Sequence, residues 1–99
     1  MEVTNEHLGR YYRYLQQHLT FPFRATYEEE TGPLSFTEHE LNCLQLDQEI
    51  QFEEFYGILV ECREGRKKTI RELADIVVDE ENVNYQLIDD YQTWFWNYR

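Results

Sequence analysis

Residues 56–71 read YGILVECREGRKKTIR, and this stretch decides the fold. Tyr56, Ile58, Val60 and Cys62 alternate with Gly57, Leu59 and Glu61, the period of two that a half-buried strand shows. Arg63-Glu64-Gly65-Arg66 forms a compact turn, and Lys67–Arg71 returns as the second arm of a hairpin.

Upstream, Leu41, Leu44 and Leu46 mark a further strand within 39–49, and the polar stretch Gln48–Glu54 reads as a loop. Phe21, Phe23, Ala25 and Tyr27 alternate with Arg24, Thr26 and Glu28, which predicts another strand before a turn at Gly32-Pro33. Thr4 and Asn5 are good helix N-caps, and Leu8, Tyr11, Tyr12, Leu15 and Leu19 recur at helical spacing, so a first helix spans about 5–19. It ends at Phe21-Pro22-Phe23, because Pro22 drives the residue before it out of the α region. Downstream, Leu73, Ile76 and Val78 belong to a short strand or turn. A last helix over about 82–97 presents Val83, Leu87, Tyr91, Trp94 and Tyr98, with Ile88 and Phe95 beside them, as one apolar face. Asp79-Glu80-Glu81-Asn82 opens it, and carboxylates in its first turn suit the helix macrodipole. Together these elements predict one α+β domain over 1–99, a small antiparallel SH3-like β-barrel or curled sheet flanked by an N-terminal and a C-terminal helix.

Composition narrows the function. Eight Tyr, six Phe and two Trp give a 99-residue chain the apolar surface that an acidic disordered tail lacks. The net charge is −11, with five basic residues and one acidic one concentrated in 63–71. Such a field repels nucleic-acid phosphates and draws cations or basic partners. Cys43 and Cys62 match no zinc spacing and read as two packed, reduced thiols; a disulfide requires that the strands bring them together. The first twenty residues lack an apolar signal-peptide core, and no apolar run approaches the roughly 20 residues that span a bilayer, so no membrane contact is expected and the location expected is the cytoplasm.

Catalytic patterns are missing. His7, His18 and His39 fall in no nucleophile or metal-ligand motif, and there is no phosphate-cradling glycine loop, which leaves these histidines structural or solvated and points away from an enzyme. Carboxylates are abundant, in Glu28-Glu29-Glu30, around Asp47, Glu49, Glu53 and Glu54, and in Asp75, Asp79, Glu80 and Glu81, with Asp89 and Asp90 further on. Hard cations such as Ca²⁺ take six to eight oxygens from groups of this type. Asp79 and Asp90 stand at the first and twelfth positions of an EF-hand-length segment, but Val83 occupies its fifth position and Asn84 its sixth, where an oxygen ligand and a glycine are needed. A calcium site must therefore be assembled from separate segments. The aromatic run Tyr91–Tyr98 covers more than one helix face; most of it is read as core, with Trp96 as the residue expected to be exposed.

The chain resembles the small acidic bacterial calcium-binding proteins described from cyanobacteria, the CcbP-like proteins. The likeness rests on Tyr11-Tyr12-Arg13-Tyr14-Leu15 followed by Leu19-Thr20-Phe21-Pro22-Phe23-Arg24-Ala25. It continues in Gly65-Arg66-Lys67, Leu73-Ala74-Asp75-Ile76, Asp79, Leu87-Ile88-Asp89-Asp90-Tyr91 and Trp94. It implies a small barrel with flanking helices that takes up Ca²⁺ through surface carboxylates, as a buffer or sensor without enzymatic activity. Asp75, Asp79, Glu80, Glu81 and Asp90 are the ligands expected, supplemented by backbone carbonyls and water. The alternative is an acidic interaction module or nucleic-acid mimic that occupies the basic groove of a protein partner.

Overall fold

The apolar alternation around Val60 is realised as the middle of an open antiparallel sheet. The structure, a computed structural model, describes residues 2–48 and 55–99. Its elements are helix α1 (Asn5–His18), strands β1 (Phe23–Gly32), β2 (Ser35–Leu46), β3 (Leu59–Glu64) and β4 (Lys67–Glu72), and helix α2 (Tyr85–Asn97). The strands lie in the order β1-β2-β3-β4. Of the two architectures expected, the curled sheet is the one formed. The segment after β4 bends round to meet β1 at one bridge, Thr26 with Val77, which exchange hydrogen bonds of 2.9 and 2.8 Å. Most of the predicted loop Gln48–Glu54 lies outside the described residues.

One sheet face is apolar. Phe23 and Ala25 of β1, Leu41, Cys43 and Leu46 of β2, and Val60 and Cys62 of β3 are all buried in a core shared with Leu8, Leu15, Ile88, Tyr91, Trp94 and Phe95 of the helices. The change of parity between Cys43 and Leu46 has a cause. The β2–β3 register shifts between Cys43 and Gln45, and the extra residue flips the following side chains to the other face. Thr4 caps α1 as predicted, its hydroxyl accepting from the His7 amide at 3.2 Å. The helices meet through Tyr11, whose ring lies 5.2 Å from Tyr91 and 5.0 Å from Trp94. α2 is tied to the sheet by the Ile58 amide, which donates to the Tyr91 hydroxyl at 2.9 Å.

The last helix differs from its sequence reading. It begins at Tyr85 rather than near 82, its first turn carries no acidic residue, Val83 is 77% exposed, and Tyr98 is half exposed. Side-chain oxygens hold the chain out of the helix here: Asp79 accepts from the Glu81 amide at 2.8 Å and Asn82 from the Asn84 amide at 2.9 Å. Such local bonds compete with helical hydrogen bonding and favour turns. Trp96 is exposed as expected, although its indole N–H reaches the Ala74 carbonyl at 3.2 Å.

Candidate metal centre

The carboxylates that sequence singled out lie mainly on the segment that joins β4 to α2. At its start the Asp75 amide donates to the Glu72 carbonyl at 3.0 Å, closing a tight turn directly after the strand. That turn sets the two carboxyl groups against each other. The hydrogen bond with Asp75, then partial burial and the Asp75 charge, push the Glu72 carboxyl up to about 7, and only Arg99 pulls the other way. Two carboxyls that share a proton near neutrality form an arrangement in which a cation can replace that proton.

Asp79 lies further along, held by the turn to Glu81 and Asn82. It borders a cavity of about 260 Å³ together with Arg24, Thr26, Glu40 and Val77. The Thr26–Val77 bridge is what places Glu40 of β2 on the same cavity as Asp79. Glu80 and Glu81 are exposed on the turn. Glu80 and, more strongly, Asp89 raise the Tyr85 hydroxyl above its ordinary value by their charge. Asp89 borders a second cavity with Tyr85, Ile88 and Gln92. Its neighbour Asp90 accepts from the Gln86 amide group at 2.8 Å and contributes, after burial, to raising the Tyr11 hydroxyl on α1.

The five expected ligands are thus distributed rather than gathered. Asp75 stands with Glu72, Asp79 stands on a cavity with Glu40, Glu80 and Glu81 point outward from their turn, and Asp90 is on the flank of α2 near α1. Among the described residues no three Asp, Glu, His or Cys side chains form a group able to hold a metal ion. The donors are hard oxygens of the type calcium takes, so the chemistry fits, but a full shell of six to eight oxygens would have to be completed by water. The backbone carbonyls nearest the Glu72–Asp75 pair are already engaged: Gln92 donates to Leu73 at 3.0 Å and to Ile76 at 2.7 Å, and Trp96 to Ala74.

Two acids escaped the sequence reading. Glu72 lies one residue beyond the predicted strand Lys67–Arg71, where the sequence assigns it no role; in the structure it is the last residue of β4, and its spacing of three from Asp75 is the only sequence signal. Glu40 meets Asp79 through tertiary pairing and leaves no local trace. Of the remaining acidic groups, Glu29 bonds His39 at 2.8 Å, and His39 also contacts Glu64 at 3.1 Å. Glu49, Glu53 and Glu54 lie outside the described residues. His7 and His18 engage the carbonyls of Glu2 and Tyr14 at 2.6 and 2.7 Å.

A family model described as calcium binding, of the CcbP type, matches residues 1–95. Solved structures share the fold. The crystal structure of Anabaena CcbP is 22% identical, with a TM-score of 0.70 over 92% of this chain and 76% of that one. A calcium binding protein in its calcium-binding form is 20% identical, with a TM-score of 0.69 over 91% of this chain and 75% of the other. No curated protein sequence matches the chain.

Proposed function

The chain belongs to the CcbP family of calcium-binding proteins, and from that premise we propose that it takes up Ca²⁺ on surface carboxylates as a non-enzymatic buffer or sensor in the cytoplasm. The feature that carries this reading into the molecule is the turn from Glu72 to Asp75, which sets two carboxyl groups against each other as hard-oxygen donors for a divalent cation. Asp79 and Glu40 line a cavity that Arg24 shares, and Glu80, Glu81 and Asp90 add to the acidic field that draws cations to the molecule. The absence of an EF-hand glycine and the distributed donors favour a hydrated site over a closed cage. Among the described residues no helix is long and apolar enough to cross a membrane.

Calorimetric titration with Ca²⁺, with and without excess Mg²⁺, tests the proposal. A saturable heat that survives Mg²⁺ and weakens about tenfold or more in Glu72→Gln or Asp75→Asn is expected. Heat that vanishes in Mg²⁺ would reduce the reading to diffuse counterion binding.

A second reading has its own observation. Beyond the end of β3 the β1–β2 hairpin continues as a ribbon, and Glu28, Glu30, Glu38 and Glu40 share the face turned away from the core, with exposed Phe36 between them and Leu34 at the tip. That surface suits a basic protein partner. Salt-sensitive capture of such a partner, unchanged by chelating calcium, would select this reading over the first.

A further inference from the structure

Cys43 and Cys62 are register partners across β2 and β3. They lie 19 residues apart in sequence, yet their sulfurs are 3.6 Å apart and share a hydrogen bond. Both are free thiols, and neither has any exposed surface. We propose that this pair is a reversible dithiol–disulfide site, oxidised within one chain by a hydroperoxide.

Two cysteines that serve only as small hydrophobes need no mutual alignment. Here the register sets both side chains on one face and directly opposite. Cross-strand partners have Cβ atoms about 4.5–5.5 Å apart, close to the roughly 3.5–4.5 Å of a disulfide. The sulfurs must approach by about 1.5 Å to reach the bonded distance of about 2.0 Å. The ladder beside Cys43 is already interrupted, because the register shift falls between Cys43 and Gln45, and a bulged strand has the local freedom to make that approach.

The Cys62 thiol donates to the Cys43 sulfur, and the charge of Arg71 favours ionisation of the pair against the opposing effect of burial. Arg71 is fixed in place over the Tyr27 ring at 4.4 Å. In the first step one of the two sulfurs, as thiolate, attacks a peroxide oxygen, the O–O bond breaks, and hydroxide leaves and is protonated to water, giving a sulfenic acid. In the second, the other thiol loses its proton and its sulfur attacks the sulfenic sulfur; the S–S bond forms and hydroxide leaves as a second water. Two thiols and one hydrogen peroxide thus give one disulfide and two waters, and a dithiol reductant reverses the change. Burial of both sulfurs means that peroxide enters only when the β2–β3 ladder opens locally, so reaction is slower than at an exposed thiol.

The folded protein is treated with hydrogen peroxide, quenched, denatured in an alkylating agent and weighed by mass spectrometry. The expected product is a monomer two hydrogens lighter that takes no alkyl group, and dithiothreitol restores a chain that takes two. Recovery of two alkylated thiols, of sulfinic acids, or only of disulfide-linked dimers would overturn the proposal. The unaltered protein decides the disulfide, so the test does not depend on any variant folding.

Discussion

At Gly57 the backbone has φ of 71°, and a Cβ placed there would lie 2.7 and 3.1 Å from ring carbons of Phe95 and against the Tyr91 hydroxyl. Left-handed backbone costs a non-glycine residue about 1–2 kcal/mol, and overpacking a core adds about 1–3 kcal/mol. Gly57→Ala should therefore destabilise the fold by about 3 kcal/mol in urea titration, and a loss below about 1 kcal/mol would mean that α2 yields easily at this point. Asn84 makes the opposite case, a buried polar residue that matters for what it bonds. Its side chain accepts from the Thr20 amide and donates to the Thr20 carbonyl, both at 2.8 Å, and so ties the entrance of α2 to the exit of α1. Asn84→Ala leaves both Thr20 groups without that partner and should cost about 2 kcal/mol. An unchanged denaturation midpoint would show that water replaces the amide fully.

Among the elements, α1 and the β3–β4 hairpin were legible because an apolar period runs through α1 and through Ile58, Val60 and Cys62, and a cap or a glycine turn bounds them. β3 itself begins only at Leu59, and Tyr56, read as part of its apolar face, is exposed. Gly65, with φ of 61°, stands in the turn where the sequence placed it. β2 was legible only in part. Alternation from Leu41 leads to Cys43, but Leu46 is also buried, and the bulge that reconciles them comes from pairing with β3 rather than from local sequence. The start of α2 was obscured for a related reason: the same Asp79 and Asn82 that look like helix-opening residues spend their oxygens on turns. Among the candidate ligands, Asp75 could be singled out as an acid but its partner could not, since Glu72 is brought to it by the turn that ends β4. The ribbon of β1 and β2 supports its own prediction. Glu28 and Glu38 are opposed across it, and like charges directly opposite destabilise a strand pair. Glu38→Lys should raise stability by about 0.5 kcal/mol at low salt and by less as salt screens the pair, and a neutral outcome at low salt would show that the two carboxylates already fan apart.

On the scale of the whole molecule, the net charge of −11 makes the compact state work against itself, and the basic residues of 63–71 relieve this only near the β3–β4 hairpin, where Lys68 meets Glu61 and Arg71 lies 3.8 Å from Glu64. Acidification therefore has two routes to stabilise the fold, general discharge and the particular proton held between Glu72 and Asp75. The second can be isolated by its sign. The Glu72 carboxyl is raised from 4.5 to about 7 in the folded chain, so between those values the folded state binds more protons than the unfolded one. Stability from this group is complete below about pH 4.5 and is lost as pH rises through 7. Glu72 is partly exposed, and screening by solvent reduces the effect to about 1 kcal/mol. Glu72→Gln keeps a hydrogen-bonding group beside Asp75 without the titration. Its urea-derived stability should fall less steeply between pH 5 and pH 8 than that of the unaltered chain, roughly by that 1 kcal/mol. If both chains lose stability in parallel, the slope belongs to the overall charge and the carboxyl pair holds no special proton. Saturating Ca²⁺ should act on the same window from the other side: bound at the pair, it takes the proton's place, stabilises most at the alkaline end, and flattens the pH profile of the unaltered chain toward that of Glu72→Gln.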